Sequence, residues 1–96
     1  MLERAIEKRV CDYATSKGLL VYKFTSPQRA AVPDRLLITT RGVTFFIEFK
    51  AAGKKPTPQQ DREHTRLRDQ GVQVFVVDDI DRGKRVVDAM EMGLVL

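Results

Sequence analysis

Val32-Pro33-Asp34-Arg35-Leu36-Leu37-Ile38-Thr39-Thr40-Arg41-Gly42-Val43-Thr44-Phe45-Phe46-Ile47-Glu48-Phe49-Lys50 is the stretch on which the fold turns. Two runs rich in β-branched and aromatic residues, 36–40 and 43–49, flank an Arg41-Gly42 turn, which predicts a β-hairpin. Residues two apart on a strand share a face, so Glu48 and Lys50 project together while Ile47 and Phe49 point to the other side. Pairing about Arg41-Gly42 sets Asp34 roughly opposite Glu48. Two carboxylates held close repel unless a proton or a cation sits between them. A hard divalent ion such as Mg²⁺ suits that place, because it prefers oxygen ligands. Lys50, beside them, is placed to polarise a water or to face a substrate phosphate.

Outward from the hairpin, the N-terminal side reads as a helix over residues 2–17, with Leu2, Ile6, Val10, Tyr13 and Ala14 at three- and four-residue steps and Gly18 as a stop. Glu3 and Glu7 lie on a flank of that stripe. Taken alone they read as solvated charges pairing with Arg4 or Lys8. Residues 19–24 form a short apolar run, the first expected strand, and a loop over 25–31 with a Ser26-Pro27 turn places Arg29 just ahead of Asp34.

On the C-terminal side, Gly53, Pro56 and Pro58 make 51–58 a loop, charged at Lys54 and Lys55. As a bland feature that lysine pair is a solvated turn; following Lys50 directly, it is also placed to meet phosphates. Thr57 and Pro58 then open a helix that runs to about Gln70 before Gly71. Gln60 lies in its first turns, near amides that favour phosphate. His64, with Arg62, Glu63 and Arg66 around it, reads as an exposed helix position. Residues 72–77 read as a buried strand. Asp78, Asp79 and Asp81 cap a last helix over 80–92, which Gly83 weakens. The apolar tail Gly93 to Leu96 calls for a partner, either the sheet edge or another subunit. The order α-β-β-β-α-β-α predicts an α/β fold with a central mixed sheet flanked by helices.

The 96 residues fit one domain, 1–96, with 43% hydrophobic and 31% charged residues. A net charge of +4 fits a solubilising surface and a phosphate-binding one equally well. One cysteine, Cys11, excludes an internal disulfide and with it a secreted disulfide scaffold. Neither a membrane-length apolar run nor the apolar core of a signal peptide is present. The chain also lacks a phosphate-binding G-x-x-x-x-G-K-[ST] loop, a C-x-x-C pair and a G-x-S-x-G elbow, which argues against NTPases, zinc modules and serine hydrolases.

Pro33-Asp34 followed by Glu48-Phe49-Lys50 resembles the PD-(D/E)XK nuclease signature. Across most of the chain the sequence is similar to one branch, the virus-type replication-repair nucleases (VRR-NUC). The resemblance rests on Ile6-Glu7, Val32 to Arg35, Phe46 to Lys50, the run from Lys55 to Gln60, and Leu67…Gly71 before a valine-rich strand. One departure is Ala31, where the family usually has glycine. The resemblance implies a restriction-endonuclease-like core and a DNA endonuclease dependent on Mg²⁺ or Mn²⁺. Asp34, Glu48, the Phe49 carbonyl and Glu7 would hold the metal. Lys50 would position the attacking water, and Gln60 would hold that water or the scissile strand. Arg29, Arg35, Lys54 and Lys55 would contact DNA. Stand-alone members of this kind look like homodimers cutting Holliday junctions or other branched DNA, phage- or prophage-encoded and acting in the bacterial cytoplasm. A reading from another class, a non-catalytic nucleic-acid-binding module on the same fold, leaves the full set of acids and the lysine without a purpose.

Overall fold

The computed structural model describes residues 1–94, so Val95 and Leu96, the end of the expected apolar tail, lie outside the described residues. The hairpin forms as its residue types require. Strand β2 (Arg35–Ile38) pairs antiparallel with β3 (Thr44–Phe49), and the registers Arg35↔Ile47 and Leu36↔Phe46 bring Asp34 across from Glu48. Gly42 supplies the positive φ, 84°, that the turn between them needs. Ahead of the hairpin, helix α1 (Glu3–Ser16) leads into β1 (Leu20–Lys23), which pairs antiparallel with the outer side of β2.

After the hairpin, helix α2 (Pro58–Asp69) carries the chain back so that β4 (Val74–Val77) lies parallel to β3. A parallel neighbour demands such a crossover. Helix α3 (Ile80–Met92) ends the fold, and the sheet order is β1-β2-β3-β4. The element order is the one the sequence predicts, with strand ends shifted by a residue or two: β2 starts one residue early, at Arg35, and the other strands are trimmed.

Alternation along β3 divides the molecule. Phe45, Ile47 and Phe49 are fully buried on one face, where α1 and α3 pack against each other and against the sheet. Ile6, Val10 and Ala14 from α1, Leu37 from β2, and Val86, Val87 and Met90 from α3 complete that core. Gly83 is not a flaw in α3 but the reason α3 fits. A Cβ there would lie 2.4 Å from Val10 Cγ2 and 3.1 Å from Val77 Cγ1, so only glycine lets the two helices approach this closely.

The opposite face, that of Phe46 and Glu48, is covered by α2 near β4 and left open toward β1. Leu20 and Tyr22 on β1 are about half exposed, and Leu36, Ile38 and Phe46 beside them are only partly buried.

Candidate active site

Glu48 stands near the end of β3 on the α2 side, with 3% of its side chain exposed. Its position comes from strand parity: Ile47 and Phe49 take the apolar core, so the residue between them must face the other way. A charge buried this deeply needs partners. Helix α2 supplies one through a local device at its start. The Thr57 side chain accepts from the Gln60 amide at 3.1 Å, and Gln60 Oε1 accepts from Thr57 N at 3.0 Å, a reciprocal capping box. With its oxygen held there, the Gln60 amide has its nitrogen left to donate, and Nε2 donates to Glu48 Oε2 at 3.2 Å. The Gln60 side chain thus bridges the start of α2 and Glu48, with the second N–H of its amide left over for a further acceptor.

The other oxygen, Glu48 Oε1, is buried with no hydrogen-bond partner among the described residues. Lys50 Nζ is 3.8 Å from Oε2, which adds charge compensation without a direct bond. Asp34, across the strand, is held in place by the backbone: its Oδ2 accepts from the Phe49 amide at 3.0 Å. In an extended strand the N–H and C=O of one residue project toward the same neighbour, so the Phe49 carbonyl also lies on the Asp34 side. Burial, and after it the adjoining Asp34 charge, pushes the Glu48 carboxyl up to about 8, with Lys50 pulling the other way. At neutral pH the pair therefore holds a proton that a pair of solvated carboxylates would have lost.

The donor set fits a hard divalent cation. It offers two adjoining carboxylates, one of them with a buried oxygen that nothing satisfies, and a carbonyl, all of them oxygen donors. The protein by itself does not assemble a larger cage: among the described residues no three His, Cys, Asp or Glu side chains converge on one point. Glu7, expected as a third acid, borders with Glu3 and Asp34 a cavity of about 250 Å³ at the open side of the site. Its carboxylate is engaged by Arg35 Nε at 2.7 Å. That pairing also occupies Arg35, a residue expected on DNA, whose side chain is only 19% exposed. Lys54 and Lys55 are exposed, as their loop predicts, and Arg29 is half exposed with Nε 3.1 Å from Glu63.

Two polar residues of α2 are buried. His64, read as an exposed position, is fully buried, and its Nε2 lies 3.8 Å from Glu48 Oε1 with neither ring nitrogen bonded. Burial, reinforced by Arg68, holds its pKa below the ordinary histidine value, so the ring is neutral. Glu63 is buried too, between Arg29 and Arg66. The signal was in the spacing: Gln60, Glu63, His64 and Leu67 fall on one helical face. Leu67 is the lone apolar residue of that face, so a pattern search for apolar stripes passes over it.

Asp34, Glu48 and Lys50 come together near the end of β3, on a mixed sheet flanked by helices, which is the arrangement the carboxylate-lysine motif implies. The similarity to known proteins agrees. No protein-family profile matches the chain. A phage protein described as "Putative nuclease p44", from Acyrthosiphon pisum secondary endosymbiont phage 1, is 48% identical over 79 residues, 82% of this chain and 85% of the relative. A solved structure described as a "VRR_NUC domain" superposes with a TM-score of 0.82 at 36% identity, covering 90% of this chain and 94% of the other. A second, a "VRR_NUC domain protein", has a TM-score of 0.73 at 19% identity over 92% of this chain and 86% of its own, and speaks to the fold alone. The chain belongs to the VRR-NUC nuclease family.

Proposed function

We propose that this domain is a divalent-metal-dependent DNA endonuclease acting as a homodimer on Holliday junctions or other branched DNA. The observation that carries the catalytic part is the buried Glu48 carboxylate, which adjoins Asp34 and has Oε1 unpartnered among the described residues, an electrostatic deficit that Mg²⁺ or Mn²⁺ would offset. Asp34, Glu48 and the Phe49 carbonyl would hold the ion, and Glu7, whose carboxylate Arg35 already takes, would contribute from the rim through water. Such an ion would supply Lewis-acid stabilisation of the phosphate and acidify the attacking water. Lys50 Nζ, held against Glu48, orients that water and balances charge as it develops on the phosphate. Gln60 fixes Glu48, and His64 with its neutral ring closes the site from behind and excludes solvent. Arg29, Lys54 and Lys55 meet the backbone at the mouth of the site.

The dimer reading is supported by the open half of the sheet. Leu20 and Tyr22 project from an edge strand whose outer side is unpaired among the described residues, next to Leu36, Ile38 and Phe46, an apolar surface of the kind that partners cover. A two-fold pair would present two sites to paired strands. Similarity to a phage protein supports a role in an infected bacterial cell, and no described helix is long and apolar enough to cross a membrane.

The test is cleavage of a labelled four-way junction and of its linear arms with Mg²⁺, Mn²⁺ or EDTA, with mass measured in parallel by light scattering. Metal-dependent cutting of the junction by a dimer, lost in Asp34→Ala, is expected. Metal-independent binding without nicking would instead mark the chain as a binding module.

A further inference from the structure

Beside helix α2, away from the Asp34 and Glu48 carboxylates, lies a cavity of which only Arg29 enters the reading above. It measures about 430 Å³ and is lined by Gln28, Arg29 and Ala30 from the loop before β2 and by Gln59, Arg62, Glu63 and Arg66 from α2. Three guanidinium groups face one carboxylate, so the cavity carries net positive charge. That carboxylate is not a surface partner. The Glu63 side chain is 8% exposed, while Arg29 and Arg66 are 50% and 61% exposed. A buried acid flanked by two exposed arginines is an arrangement in which the acid serves the arginines.

The atoms in contact show how. Glu63 Oε1 meets Arg29 through Nε at 3.1 Å and Arg66 through Nε at 3.4 Å. In both cases the carboxylate holds the guanidinium by the nitrogen nearest its stem. The two terminal nitrogens, the edge that binds phosphate in a forked geometry, stay free of Glu63. Arg62, exposed one turn before Arg66, adds a third cation on the same helix face. On α2, Gln59 and Glu63 directly adjoin Gln60 and His64, the two residues behind Glu48. A strand whose phosphate sits at Asp34 and Glu48 would therefore run past this cavity.

We propose that the cavity between residues 28–30 and α2 is a second phosphodiester-binding subsite, in which buried Glu63 pre-orders Arg29 and Arg66 to grip, with Arg62, a phosphate neighbouring the scissile one. The subsite rests on the nuclease reading for its ligand, a nucleic-acid strand, but its readout is binding. Pre-ordering matters because long basic side chains lose rotamer freedom when they bind, and a fixed partner spares the complex part of that loss.

The test is fluorescence anisotropy of a labelled duplex with the full chain in EDTA, repeated from about 50 to 200 mM KCl. Arg62→Ala and Arg66→Ala should each flatten the plot of log affinity against log salt by about 0.9, the share of one phosphate contact. Glu63→Gln decides the role of the buried acid. It makes the chain more positive by one charge, so general attraction alone would tighten binding. Loss of the two pinned arginines should instead weaken it, by roughly threefold or more. Equal thermal melts for wild type and Glu63→Gln would show that the fold is kept. Unchanged salt slopes in both arginine variants, or tighter binding by Glu63→Gln, overturn the subsite and leave the cleavage reading intact. Shifted slopes in a protein that never cuts with Mg²⁺ or Mn²⁺ support the subsite and overturn cleavage alone.

Discussion

Replacing Glu48 by glutamine should make the metal-free protein more stable while removing its activity, and the gain should depend on pH in a defined way. The wild-type carboxyl sits at about 8 in the folded chain against an ordinary value of 4.5. Between those limits the folded state holds a proton that the unfolded state has released, so stability falls as pH rises. The contribution is fully present below the unfolded value and is lost as pH climbs toward about 8. At about 1.4 kcal/mol per pH unit, wild type should lose about 3 kcal/mol relative to Glu48→Gln between roughly pH 5 and 7.5. The amide keeps the shape and still offers an oxygen to Gln60 Nε2, so little else should change. Urea unfolding of both proteins in EDTA at several pH values measures the difference directly. Added Mg²⁺ or Mn²⁺ should then restore wild type near neutral pH by about 2.7 kcal/mol at a hundredfold excess over its dissociation constant. The variant should not respond. A stability difference that stays flat across that pH range would show that Glu48 titrates like a solvated acid. The electrostatic deficit that argues for a cation would then be gone.

Two further outcomes concern backbone positions. Ala31 has a φ of 65°, a left-handed conformation that costs a side-chain-bearing residue about 1 kcal/mol. Ala31→Gly should stabilise the domain by roughly 0.5–1 kcal/mol in denaturant unfolding, with a loss counting against the loop path before Asp34. Gly83→Ala presents opposing effects: helix propensity favours alanine by about 1 kcal/mol, whereas overpacking against Val10 and Val77 costs about 1–3 kcal/mol. Net destabilisation is expected, partly relieved by Val10→Ala in the same chain, and a plain gain in stability would mean that α1 and α3 do not approach this closely.

The alternation of Ile47, Glu48, Phe49 and Lys50, the Arg41-Gly42 turn and the Thr57-Pro58 helix start were enough to predict the hairpin, the element order and the face from which Glu48 projects. All of these depend on short-range rules, the period of a strand or the satisfaction of a helix end, and such rules act on a local stretch of chain. The departure at Ala31 was visible as a residue type, but its consequence, a left-handed backbone, is a property of the folded loop.

What surrounds Glu48 depended on which elements meet. His64 looked exposed because polar types on a helix usually are, and only the crossover that lays α2 over the sheet puts it and Glu63 inside. The same holds for Glu7 and Arg35, 28 positions apart, one expected near the metal and the other on DNA, which the folded chain pairs with each other. It holds as well for Gly83, whose cost to a helix was legible while its purpose required Val10 to arrive from α1. Sequence by itself determined where the chain bends, pairs and starts its helices, because those are settled within a few residues. Burial, charge pairing and the proton on Glu48 were decided only by tertiary structure, since each is set by atoms that the chain brings from far away.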